Sequence, residues 1–204
     1  MTSWSRRPPS RPHSGVVARI QPVDPGATPD KVREALDNLP PLNIFRTLAH
    51  AETAFRPFLR FGGAVLGRMQ LDPVVRELVI LVVAREAEAE YEWIQHVAIA
   101  KAVGASDAQI EALRAGDDAA DAFDDAQGAA IELAAAVVRG PRVPDELFER
   151  VRSQFGEREV VELLLAIGDY WMLARVMTVL EVDLDEPAGD SVLRGRRDRP
   201  ADGA

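Results

Sequence analysis

LDPVVRELVILVVAREAEAEYEWIQHVAIAKAVG, residues 71–104, is the stretch on which the fold class turns. Asp72 followed by Pro73 reads as a helix start. The carboxylate can accept from the free amides of the first turn, and a proline at the first helical position costs no hydrogen bond. The segment after it, VVRELVILVVA, is apolar on most of its circumference, as a helix packed on several sides must be. Composition alone would also allow a buried strand. The Asp-Pro start and the continuation Ala84-Arg85-Glu86-Ala87-Glu88-Ala89, built from strong helix formers, decide for helix. Tyr91–Val103 reads as the next helix, with Gly104 just past its end.

The same reading extends in both directions. Thr28-Pro29-Asp30 supplies a cap, a first-turn proline and an acid ahead of Val32, Ala35, Leu36 and Leu39, and Pro40-Pro41 stops that helix. A short helix from about Asn43 leads into a longer one over 52–66, which must accommodate Pro57 and is weakened near its end by Gly62, Gly63 and Gly67. Ser106-Asp107 starts a short helix carrying Ile110 and Leu113. Asp124–Val138, Pro144–Gln154 and Glu157–Leu180 complete a bundle. The expectation is an all-α, single compact helical domain over residues 16–184. Residues 1–15 and 185–204 read as a disordered leader and tail, being too polar to bury the apolar surface that offsets ordering entropy.

Composition narrows the function. Hydrophobic residues make up 47% of the 204, enough for a sizeable core. The net charge of −9 argues against a nucleic-acid groove, which needs clustered cations, and weakly against anionic membranes. No apolar run is expected to reach the roughly 18–20 residues of a membrane span, and the Arg- and Pro-rich N-terminus lacks a signal-peptide core, so a cytoplasmic location is the default expectation. There is no cysteine. That removes disulfides, thiolate metal sites and thiol nucleophiles together.

Chemistry has few places to sit. Glu77 has Val74, Leu81 and Ala84 as neighbours at helical spacing, and burial among them would raise its pKa toward the range of a general acid or base. A solvated Arg76–Glu77 pair at a helix start is the competing reading. Glu92 and His96 stand one turn apart on one face, where a carboxylate can fix the imidazole tautomer. His13 lies in the leader and His50 in an Ala-Glu context, which leaves His96 as the best proton carrier, against the reading of a structural histidine between helices. Glu77, Glu92 and His96 could ligate a metal only with a further ligand that the sequence does not indicate, so neither metal nor cofactor is expected. No glycine-rich phosphate loop or nucleophile-elbow motif is present. Tyr170-Trp171, inside an apolar helix, reads as core.

The run Leu71-Asp72-Pro73, Arg76-Glu77-Leu78, then Tyr91-Glu92-Trp93 with His96, resembles the carboxymuconolactone decarboxylase family, which includes the alkylhydroperoxidase D-like proteins. VGASDAQIEALRAG (103–116) fits the same family, and NIFRTLAHA (43–51) and GDYWMLARV (168–176) resemble its longer members. The resemblance spans about residues 16–182.

It implies a helical domain that assembles into trimers or hexamers, with pockets near subunit contacts. The peroxidase branch of the family carries a glutamate, a Cys-x-x-Cys pair and a histidine, which fall on Glu77, on Ala89 and Glu92, and on His96. Both thiols are missing, so thiol peroxidase chemistry is excluded. The decarboxylase branch needs no thiol. Its resemblance implies Glu77 and His96 as the catalytic acid–base pair acting on a small carboxylated or lactone-type compound. Arg76, Tyr91, Glu92 and Trp93 would then bind the substrate, with Arg85 as an alternative holder of its carboxylate. A catalytically silent small-molecule binder is the other reading.

Overall fold

A computed structural model describes residues 18–189. The N-terminal leader and most of the expected tail lie outside these residues. Within them the regular structure is helical: α1 (Asp30–Asp37), α2 (Asn43–Leu48), α3 (Glu52–Gly67), α4 (Pro73–Glu86), α5 (Glu90–Val103), α6 (Asp107–Ala115), α7 (Asp125–Arg139), α8 (Asp145–Gln154) and α9 (Glu157–Leu180), with one 3-10 turn at Pro25–Ala27 before α1.

The central helix is α4, which packs against α5, α6, α7 and α9. Its sequence explains the placement: every residue from Val75 to Arg85 is buried, so no face is left for solvent. Asp72 caps it, accepting from the amides of Val74 (2.8 Å) and Val75 (3.1 Å). Burying a branched aliphatic side chain contributes about 1.5–3 kcal/mol, and α4 alone buries seven Val, Leu and Ile side chains with no exposed surface or nearly none: Leu78, Val79, Ile80, Leu81, Val82, Val83 and Val75. This helix organises the domain.

The turn after α5 is decided by Gly104, whose φ of 114° is strained for any residue with a side chain. Ser106 and Asp124 open α6 and α7 with reciprocal capping boxes through Gln109 and Gln127. Gln109 also reaches Gln127 (2.9 Å), tying the two caps to each other.

Three local expectations change. Thr28 does not cap α1. Pro29 takes that position, and the Thr28 hydroxyl donates back to the Pro25 carbonyl (2.8 Å), closing the preceding turn instead. α3 ends at Gly67, one residue past the expected Leu66, and runs through Gly62 and Gly63 on the way. Trp171 is 44% exposed and only its neighbour Tyr170 is core. Adjacent helical residues point about 100° apart, and Tyr170 alone falls on the inward stripe.

Two further differences concern the last helix and the residues beyond it. By length and composition α9 could cross a membrane, although Asp169 and Arg175 interrupt its apolar run. In this fold one of its faces lies on α4 and α7 and buries the acids Glu162 and Asp169. Past Leu184, where the loose tail was expected to begin, the chain is tied to the body. Asp185 accepts from the amide of Asn43 (2.6 Å) and from the Tyr91 hydroxyl, and the Gln95 amide donates to the carbonyls of Asp185 and Glu186 (3.2 Å each) while its oxygen accepts from the amide of Ala188 (2.9 Å). Backbone groups paired with buried side chains hold this segment where its own apolar content could not.

Candidate active site

Glu77 projects from α4 and is completely buried. Its Oε2 lies 2.8 Å from Nδ1 of His96 on α5. A carboxylate accepts, so that ring nitrogen carries the hydrogen and the tautomer is set, leaving Nε2 as the nitrogen that Glu77 does not engage. The other oxygen, Oε1, accepts from Arg76 Nε (3.0 Å) and pairs with Nη2 (2.9 Å). The isolated acid suggested by the sequence is therefore one end of a buried Arg76–Glu77–His96 chain, and the solvated-pair alternative does not hold either. The edge of Tyr170 closes on the imidazole at 4.6 Å between centroids and 82° between planes.

His96 stands in the wall of a cavity formed between α2, α3, α5 and α9. Phe45 and Leu48 from α2, Phe58, Gly62 and Leu66 from α3, and Leu173 and Met177 from α9 give it an apolar lining. Its polar groups are Tyr91, Glu92, Gln95 and His96 of α5 with Asp169 and Tyr170 of α9. Such a space suits a small, mostly apolar compound oriented by a few polar contacts.

Glu92 is 2% exposed, and neither carboxyl oxygen has a hydrogen-bond partner. Burial pushes its pKa well above the usual carboxylate value, and the nearby charge of Asp169 pushes it further. The same burial favours the protonated form of Glu92 over its carboxylate. Asp169 is a site residue that sequence reasoning misses. The available signal is a lone acid on the apolar helix LLLAIGDYWMLARVMTVL, which is uninformative until the opposing helix is known.

The other expected binding residues divide. Tyr91 lines the cavity, but its hydroxyl serves Asp185, and burial followed by that carboxylate raises its pKa. Arg76 does not line the cavity, because its guanidinium is held by Glu77. Trp93 also points elsewhere: it is 3% exposed and lies under the Arg114 guanidinium, 5.2 Å from the ring centroid. Arg85 is fixed by Asp118, Glu86 and the Leu113 carbonyl. No Lys or Arg is found among the described residues lining the cavity. Of the two positions that carry thiols in the peroxidase branch, Ala89 is packed away with Ala87 and Ala174, and Glu92 faces the cavity.

Residues 52–136 match the model of the carboxymuconolactone decarboxylase family. No curated protein matches the chain significantly. Among solved structures, the alkylhydroperoxidase AhpD core, an uncharacterized peroxidase-related protein from Ralstonia eutropha JMP134, is similar at 20% identity and a TM-score of 0.71, over 90% of this chain and 98% of that one. An uncharacterized peroxidase-related protein from Silicibacter sp. TM1040 gives 20% identity and a TM-score of 0.69, over 80% and 88%. The debrominase Bmp8 in complex with 2,3,4-tribromopyrrole gives 16% identity and a TM-score of 0.66, over 86% and 94%. At these identities the likeness is one of fold. The match over residues 52–136 takes in Glu77, Glu92 and His96, and the chain has an alkylhydroperoxidase D-like helical fold and no cysteine.

Proposed function

We propose that this protein is a thiol-independent enzyme that transfers protons on a small organic compound held in the cavity. The observation carrying this reading is the buried 2.8 Å contact between Glu77 and His96 at the cavity wall. With Nδ1 fixed by a carboxylate, Nε2 can take a proton from a carbon beside a carbonyl or lactone carbonyl. The C–H electron pair becomes a carbon–carbon double bond and the carbonyl π pair moves onto oxygen. The imidazolium then returns the proton to the same or a conjugated carbon. Glu77 stabilises the imidazolium while it exists, and Arg76 compensates Glu77 when the ring is neutral.

Decarboxylation, which the family name suggests, is the less favoured form of this chemistry. It needs a seat for the substrate carboxylate, and Arg76, expected to provide one, is held by Glu77. An anion would also face Glu92 and Asp169. Uncharged lactone or carbonyl compounds suit the lining better. The apolar lining equally supports a silent binder. The experiment is proton NMR in D2O with a panel of lactones, ketones and their carboxylated counterparts. Exchange of a C–H beside the carbonyl, lost in His96→Ala, supports the proposal. Binding without exchange favours the silent binder, and carbon dioxide release would restore decarboxylation.

We also propose self-association through α9. Val161, Leu164, Leu165, Trp171, Met172 and Val179 are 42–56% exposed and recur at helical spacing along one outer stripe. An apolar stripe of this length, interrupted by the exposed Arg175, is what a subunit contact would cover.

A further inference from the structure

We propose that the Glu92–Asp169 end of the cavity is a seat for a basic nitrogen, and that the ligand is a small, largely apolar amine. Like the proton-transfer reading, this takes the cavity as the ligand's place, but it does not depend on turnover. Glu92 lines the cavity, is 2% exposed and has neither carboxyl oxygen hydrogen-bonded. A buried carboxyl in that condition calls for a polar partner, and a ligand entering the cavity can supply one. Asp169, 4% exposed, stands in the same lining and acts electrostatically on Glu92. The aromatic side chains of Phe45 and Phe58 line the same cavity.

Burial decides the form in which the ligand binds. Burial favours the protonated form of Glu92, and an amine entering as the free base can take that proton. The nitrogen lone pair forms the new N–H bond, and the O–H pair remains on the carboxylate. The result is an ammonium–carboxylate pair in the place of two neutral groups, with the net charge of the cavity unchanged. A further ammonium hydrogen can be directed at Asp169. An alcohol gains only a neutral hydrogen bond, and a carboxylate brings a second negative charge. The other titratable groups at the cavity are His96 on α5, Tyr170 on α9, and Tyr91, whose hydroxyl is engaged by Asp185; α2 and α3 contribute apolar lining.

Isothermal titration calorimetry of the whole protein with benzylamine, benzyl alcohol and benzoate tests this, in buffers of different ionisation enthalpy near neutral pH. Benzylamine is expected to bind at least about tenfold more tightly than benzyl alcohol, with benzoate weakest. Since the amine is protonated in solution, about one proton should be released per molecule bound. Glu92→Gln should abolish that release and the amine preference, and Asp169→Asn should weaken the preference. Binding of the alcohol or benzoate as tight as that of the amine, proton release that survives in Glu92→Gln, or no binding at all overturns the inference. Amine preference that persists in His96→Ala, where C–H exchange is lost, separates this inference from the proton-transfer reading. Exchange without amine preference sinks this inference alone.

Discussion

His96 Nδ1 and Glu77 Oε2 meet 2.8 Å apart between α4 and α5, and the same carboxylate holds the Arg76 guanidinium 2.9 Å from its other oxygen. The three side chains are all buried, and the Glu77 carboxylate is the group that joins the other two. A variant at one position therefore reports on its neighbours as well.

Glu77→Gln should lose about 3 kcal/mol in urea unfolding, because Arg76 is left as a buried charge without its carboxylate. Arg76→Met combined with Glu77→Gln should recover part of that loss. His96→Ala should cost less than Glu77→Gln. A neutral Glu77→Gln would show that the Arg76 pair does not form.

Glu92→Gln should stabilise the protein by about 1–2 kcal/mol at neutral pH. The folded pKa of Glu92 lies above the ordinary value of 4.5, so the folded state binds the extra proton. The contribution of this group is full below 4.5 and declines as pH rises from there toward the folded pKa. The advantage of the variant should grow over the same range. Urea midpoints at pH 5, 6, 7 and 8 check this; an advantage that shrinks with pH contradicts it.

Glu162 has the opposite sign. It accepts from the amides of Gln70 and Leu71 (2.8 Å each) and from Arg158 (2.9 Å), fixing the turn before α4 to α9. Burial raises its pKa, but the Arg158 and backbone hydrogen bonds outweigh burial and the net direction is down. Its stabilisation is full above 4.5 and is lost as pH falls through the lowered folded value. Glu162→Gln should cost about 1–3 kcal/mol at neutral pH and flatten the acid limb of thermal unfolding curves.

Tyr91→Phe should loosen the segment after α9. The hydroxyl donates to Asp185, and Gln95 holds the next residues, so losing the first tie leaves the second. Amide exchange over residues 185–188 should speed up by about fivefold or more, for a hydrogen bond contributing about 1 kcal/mol. Unchanged exchange would place the hold elsewhere.

Leu165→Glu, on the outer stripe of α9, should shift sedimentation toward a smaller species without changing helicity. Leu165 is 43% exposed within one chain, so folding of the subunit does not need it. An unchanged sedimentation coefficient would remove α9 from the proposed contact.

The helices are legible from residues 71–104 outward, because caps, prolines and apolar periodicity act within a few residues of one another. Asp72-Pro73 opens α4 and Gly104 closes α5, as their local chemistry requires. The same locality explains the miss at Thr28, where a cap and a turn closure use the same hydroxyl and only the preceding Pro25 carbonyl chose between them. The absence of thiols is a property of the sequence alone.

Pairing across helices is a different matter. The sequence places Glu77 and His96 19 residues apart, and only the packing of α5 on α4 brings their side chains into contact. Arg76 and Trp93 stand in plausible binding positions, yet their directions are fixed by Glu77 and Arg114. Asp169 joins the site because α9 packs against α5, and the pKa of Glu92 rises because its carboxyl is buried there beside Asp169. Secondary structure comes from short-range sterics and hydrogen bonding, which the sequence by itself determined. The charge state and partners of a buried side chain depend on the dielectric and neighbours that distant segments supply, and only the tertiary structure decided those.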